Sequence, residues 1–173
     1  MIETHPFGNF IPSKTKYLLL GSFAGRAASY AGSADDWFYG ARRNQFWPIV
    51  ESVYHKELKS KLAKEKLFTE LGVAISDIIL QCERQRGSNL DSNLINIVFN
   101  TRAITEILEQ NRIKVIFFSS RFAENLFRRQ FKGIIQQHPE IGLVTLPSPS
   151  PRYATMSKSQ KIEKYRSLLP KLN

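Results

Sequence analysis

Apolar residues along the chain fall into two patterns. One is the short continuous run, seen in Lys16-Tyr17-Leu18-Leu19-Leu20-Gly21, in Lys114-Val115-Ile116-Phe117-Phe118 and in Leu143-Val144-Thr145-Leu146. Runs this short and this apolar predict buried strands, the first stopped by its glycine. The other pattern is the helical stripe. Phe46, Trp47, Val50 and Tyr54 share one face, and Phe122, Ala123, Leu126 and Phe127 share another. Thr101 is placed to cap a helix carrying Ile104, Ile107 and Leu108, and Ser157 with Gln160 forms a capping box for a last helix carrying Ile162, Tyr165, Leu168 and Leu169. A charged helix is expected over about residues 57–70. Gly72 to Leu80 holds a further apolar run, interrupted by Ser76 and Asp77, and a polar loop is expected from Gln81 to Asn93.

Strands that alternate with helices predict an α/β fold with a mainly parallel sheet, here as a single domain over 1–173. In such sheets ligands sit in loops that follow strand C-termini. Three loops qualify, after Leu20, after Ile75 and after Leu146, and the unusual residues gather in all three.

Charge narrows the reading. Lys and Arg outnumber Asp and Glu by 25 to 15, a formal net charge of +10 over 173 residues. Such a surplus fits either a polyanionic partner such as nucleic acid, bound in a salt-sensitive way, or a basic protein without one. The lone Cys82 excludes an internal disulfide, a Cys-ligated iron–sulfur cluster and a multi-Cys zinc site. His5, His55 and His138 lie far apart without ligand spacing, so no metal or cofactor is expected. No apolar run has transmembrane length, and the N-terminus has neither the basic nor the apolar region of a secretory signal. A soluble protein of a reducing compartment, cytoplasmic and without a membrane partner, is expected.

Several constellations could carry chemistry. Gly21-Ser22-Phe23-Ala24-Gly25 follows a strand but lacks the Gly-Lys-Ser/Thr of a nucleotide loop; it is a tight turn or a ligand loop. Pro147, Pro149 and Pro151 stiffen an extended segment on which Ser148 and Ser150 point the same way. Their hydroxyls, free backbone N–H groups and Arg152 would suit phosphate oxygens; otherwise the segment is a stiff surface loop. Asp77 is either a turn cap or a buried acceptor. Tyr39, in a Gly-rich stretch, is harder to place in a core than Phe46 or Trp47, and an aromatic in such a loop either packs against something or serves a ligand.

Taken together these blocks resemble the uracil-DNA glycosylase superfamily, and within it the hypoxanthine-DNA glycosylase branch, from Tyr17 to about Leu169. The blocks are Leu18-Leu19-Leu20-Gly21-Ser22-Phe23-Ala24-Gly25; Tyr39-Gly40-Ala41-Arg42-Arg43-Asn44-Gln45-Phe46-Trp47; Ser76-Asp77-Ile78 through Cys82-Glu83-Arg84 and Gly87-Ser88-Asn89-Leu90-Asp91-Ser92; and Leu146-Pro147-Ser148-Pro149-Ser150-Pro151. There are departures. Phe23 stands where related branches carry a water-positioning Asn or Asp, and Ser76 stands where the hypoxanthine branch has Trp. Asn89 is an extra residue, and Arg152-Tyr153 replaces that branch's Ala-Asn.

The resemblance implies a three-layer α/β/α sandwich around a four-stranded parallel sheet. It implies a monomeric, monofunctional DNA glycosylase that hydrolyses the N-glycosidic bond of a deaminated base, hypoxanthine first and uracil second, with no cofactor. Asn44 would hold the attacking water, and Gly21, Ser22, Phe23, Tyr39 and Asp77 would surround the base. Arg43, Ser88, Ser148 and Ser150 would contact the DNA, with Arg152 filling the gap left by the flipped base. Two other readings stay open: a damaged-DNA-binding relative without activity, and a nucleoside or nucleobase hydrolase acting outside DNA.

Overall fold

The structure is a computed structural model that describes residues 1–26, 30–85 and 90–172. Four parallel strands form its centre in the order β3-β2-β6-β7: β2 is Tyr17–Gly21, β3 Val73–Asp77, β6 Val115–Phe118 and β7 Gly142–Thr145. Three of these are the continuous apolar runs of the sequence. Alternation along β2 shows why all must be buried. Leu18 and Leu20 join Ile116 and Phe118 on one face, under helices α3 (Thr101–Gln110) and α4 (Arg121–Gln130). Leu19 joins Ile75 and Phe117 on the other, under α1 (Phe46–Tyr54), α2 (Lys61–Leu71) and α6 (Lys158–Leu168). Helices thus cover both faces of the sheet, as the α/β sandwich requires. The capping box of Ser157 and Gln160 opens α6 as the sequence predicts.

Three expectations need correction. The charged helix starts at Lys61 rather than 57, because the Ser60 side chain accepts the N–H of Ala63 and caps it there. Thr101 is the first helical residue rather than the cap; Asn100 precedes it, and its amide is used elsewhere. The region from Gln81 to Asn93 is not all loop. Ile79–Arg84 is a strand, β4, paired antiparallel with β1 (Ile2–Thr4) and with β5 (Leu94–Phe99). In this small second sheet polar side chains pair across strands, Arg84 with Glu3, Gln81 with Thr4, and Asn96 with Glu83, which hides β1 and β4 from local reading; β5 is itself an apolar run. A further short helix, α5 (Lys132–Gln137), follows α4 directly.

The second sheet positions the site. Its strand β1 binds the N-terminal segment to β4, with His5 N–H on the carbonyl of Leu80 at 2.8 Å. Phe10 then bridges Ile75 on the outer edge of β3. His5 is therefore clamped beside the C-terminal end of β3.

Candidate active site

The loops that leave the C-terminal ends of the parallel strands converge on a cavity of about 890 Å³. All three loops singled out in the sequence line it, through Ser22 to Gly25, Asp77, and Ser148 to Tyr153; a fourth, after β6, adds Ser119 and Ser120. The central pair β2 and β6 diverges to neighbours on opposite sides, which opens a crevice at such a point in α/β sheets.

Asp77, the last residue of β3, is buried on the cavity floor. Its Oδ2 lies 2.8 Å from Nε2 of His5, itself buried. The backbone N–H of Phe7 donates to Nδ1 of the same ring at 3.3 Å, which assigns the ring proton to Nε2 and makes His5 the donor to Asp77. Rings of Phe7, Phe23 and Phe38 surround the imidazole at 5.2–5.9 Å between centroids. The turn after β3 is held by other groups: Asn100 donates to the backbone carbonyl of Asp77 and to Ser76 Oγ, and Ser76 donates to Asn9. The Asp77 side chain is thus an acceptor and not a turn cap, and its second oxygen, Oδ1, is buried without a hydrogen-bond partner.

Tyr39 is the other group left open. Its backbone is left-handed at φ 57°, and its ring packs against Phe46 at 4.3 Å between centroids. Its hydroxyl is buried and makes no close hydrogen bond; burial together with the Asp77 charge pushes its pKa well above the ordinary phenol value, with the neighbouring Ser119 hydroxyl opposing the shift. Gly21 makes room for both. It does not line the cavity but lies behind it, and a Cβ there would stand 2.3 Å from Oδ1 of Asp77 and 2.7 Å from the Tyr39 hydroxyl.

A second carboxyl shares the cavity. Asp91 accepts from the Ser22 hydroxyl at 2.9 Å. Burial holds its pKa above the ordinary value, with the Asp77 charge adding to the effect and the Ser22 hydrogen bond opposing it. Phe23 lies beneath the guanidinium of Arg84 at 5.3 Å, and that guanidinium is tied to Glu3 and to the carbonyl of Ala24.

Asn44 lines the cavity just ahead of α1, where its Oδ1 accepts the N–H of Phe46 at 2.9 Å. One lone pair of that oxygen remains for a further donor. In the proline segment the N–H groups of Ser150 and Arg152 are not free as expected. They donate to the hydroxyls of Ser148 and Ser150, so the segment offers O–H groups instead. Its carbonyls are pinned from behind: Pro147 by the Tyr165 hydroxyl, Pro149 by Gln45 N–H, and Ser150 by Lys161, whose buried ammonium also reaches Gln45 Oε1 at 3.0 Å. Arg42, Arg43 and Arg152 stand exposed at the rim. The cavity is therefore cationic at its mouth and carboxylate-lined at its floor.

The structure thus brings Ser22, Phe23, Tyr39, Arg43, Asn44, Asp77, Ser148, Ser150 and Arg152 around one cavity. Ser88, together with Gly87 and Asn89, lies outside the described residues. Sequence reasoning passed over His5, because its partner is 72 residues away and nothing local marks the pair. It also left Asp91 without a role and missed Lys161, which reads as one more surface lysine of a charged helix.

No family model and no curated protein matches the sequence. Among solved structures the chain is similar to the solution NMR structure of "a putative Uracil DNA glycosylase" from Methanosarcina acetivorans. The two are 19% identical, the match covers 97% of this chain and 99% of that one, and the TM-score is 0.62. With so little sequence shared, the likeness establishes the architecture: the chain has the α/β fold of that protein, a four-stranded parallel sheet flanked by helices.

Proposed function

We propose that the chain is a DNA glycosylase that hydrolyses the N-glycosidic bond of a deaminated base, with hypoxanthine ahead of uracil. The observation that carries this reading is the polarity of the cavity. Exposed arginines at its mouth suit DNA phosphates, and a buried carboxylate oxygen without a protein partner on its floor suits the N–H of a base. A volume of about 890 Å³ is ample for a flipped nucleotide. The named function of the structural relative and the motif blocks of the sequence point the same way.

The chemistry asks for little beyond positioning. As the bond breaks the sugar becomes oxocarbenium-like and the base departs with negative charge. A water held by Asn44 and hydrogen bonds to the leaving base lower the barrier. Asp77 separates deaminated adenine and cytosine from their parent bases. Hypoxanthine and uracil present a lactam N–H, whereas adenine and cytosine present a lone pair at the corresponding ring nitrogen. A carboxylate only accepts, so it pairs with the first and repels the second.

The test is single-turnover cleavage of labelled duplexes and single strands containing hypoxanthine, uracil, xanthine or a G·T mismatch. Hypoxanthine DNA should be cleaved fastest, and Asp77→Asn should lose that cleavage while still binding DNA. Binding without cleavage of any substrate would favour a damaged-DNA-binding protein, and activity on free nucleosides alone would favour a hydrolase acting outside DNA.

A further inference from the structure

The two open atoms on the cavity floor have opposite senses. Oδ1 of Asp77 accepts, while the Tyr39 hydroxyl, held protonated by its burial and by the Asp77 charge, donates. Both lie within 3 Å of one point, the Cβ position that Gly21 leaves empty, so they stand side by side, no more than about 5 Å apart. A buried polar group without a partner costs stability. Two of them on one wall of a cavity, in a protein that satisfies its neighbouring polar groups, point to a ligand that satisfies both.

A carboxylate alone would be a loose reader, because it can turn and offer either oxygen. Here His5 removes that freedom. Its Nε2–H occupies Oδ2, its own tautomer is set by the Phe7 N–H on Nδ1, and three phenylalanine rings hold its plane. We infer that His5 is a positioning residue that presents Oδ1 of Asp77 as the single open acceptor, and that the Tyr39 hydroxyl is the matched donor beside it, so that the floor recognises an N–H adjacent to a C=O. The inference rests on the cavity being a base pocket and deepens that reading. It assigns two contacts rather than one to the lactam edge that separates hypoxanthine and uracil from adenine and cytosine. It also shifts the work of Tyr39 from its ring, one face of which Phe46 covers, to its hydroxyl.

The experiment compares wild type, Tyr39→Phe, His5→Leu and His5→Gln. Each is assayed by single-turnover cleavage of duplexes carrying hypoxanthine or 1-methylhypoxanthine, which keeps the C=O but lacks the N–H. Binding to a duplex with an abasic-site analogue and the melting temperature are measured alongside. Wild type should prefer hypoxanthine at least about tenfold, the scale of leaving a buried acceptor unpaired. Tyr39→Phe should cleave about tenfold more slowly or worse, yet melt no lower than wild type, because it removes a buried hydroxyl that makes no close hydrogen bond within the protein. His5→Leu should lose a similar factor, and His5→Gln, which keeps an N–H close to the Nε2 position, should recover most of it. All variants should bind the abasic analogue like wild type. The inference fails if Tyr39→Phe cleaves like wild type, or if both His5 variants lose rate only in step with melting temperature. If wild type cleaves no lactam-bearing DNA, the base-pocket reading falls and takes this inference with it; if wild type cleaves and the variants match it, this inference alone falls.

Discussion

Gly21 and Asp77 pair in register across β2 and β3, and a Cβ on Gly21 would lie 2.3 Å from Oδ1 of Asp77. No side chain fits that gap, so the glycine is a requirement of the floor and not of the backbone turn. Gly21→Ala should displace both Asp77 and Tyr39. It should cost about 1–3 kcal/mol of stability, the usual range for overpacking, and reduce cleavage far more than it reduces binding to abasic DNA. Urea denaturation and single-turnover rates on the same preparation check this. A variant that is destabilised but cleaves at the wild-type rate would show that the floor relaxes without consequence.

The second carboxyl gives a prediction with a sign. Burial, with the Asp77 charge adding to it, holds the pKa of Asp91 above its ordinary 3.8, while Ser22, Arg84 and Arg152 oppose the shift. The folded protein therefore favours the protonated acid. The contribution of Asp91 to stability is fully present below the ordinary value and is lost as pH rises through the raised one. Asp91→Asn removes the buried charge and keeps an acceptor for the Ser22 hydroxyl. It should be more stable than wild type near about pH 7, with the difference shrinking toward about pH 4. Equal urea midpoints across that range would mean that Asp91 ionises in the folded state at no cost.

Much of this was legible in the sequence because burial on both faces leaves a plain signature. Tyr17–Gly21, Val115–Phe118 and the capping box at Ser157 are local patterns and appear where expected. The second sheet was legible only in part. β1 and β4 are joined by pairs such as Arg84 with Glu3, 81 residues apart, so they do not read locally as strands, whereas β5 is an apolar run, Leu94 to Phe99, that could have been read and was passed over. The site divides in the same way. The loops after β2, β3 and β7 could be located because ligand loops follow strand ends, but the His5–Asp77 contact depends on the N-terminal segment docking on β4, a long-range event without a local marker. The proline segment shows a subtler limit. Its stiffness was readable, whereas the use of its N–H groups by Ser148 and Ser150 depended on turn geometry.

If the exposed arginines at the cavity mouth meet DNA phosphates, binding must weaken steeply with salt. Arg43→Gln and Arg152→Gln should each weaken binding to lesion and undamaged duplexes alike, and should each lower the slope of log affinity against log salt by roughly one. A slope that is flat in wild type would remove DNA as the partner. An Arg152→Gln variant that loses affinity for lesion DNA only, with its slope unchanged, would instead place that side chain in the gap left by the flipped base.

Asn44 carries two jobs that a single substitution confuses. Its Oδ1 receives the Phe46 N–H at 2.9 Å in the turn just before α1, whose N-cap is Gln45, and the same oxygen is proposed to hold the attacking water through its other lone pair. Asn44→Ala removes both and should cost about 0.5–1.5 kcal/mol of stability, as the loss of one hydrogen bond does, besides any loss of rate. Asn44→Ser separates them, because a serine hydroxyl can accept the same N–H in the turn but is too short to reach the same water. If Asn44 positions water, both variants should lose about 10²-fold or more in single-turnover cleavage while binding lesion DNA, and only the alanine variant should melt lower. If Asn44 only holds the turn before the helix, the serine variant should match wild type in both rate and melting temperature. The water would then need another holder, and the cavity offers one candidate of suitable chemistry in Asp91, whose raised pKa would appear as a rising acidic limb in the pH–rate profile, missing from Asp91→Asn.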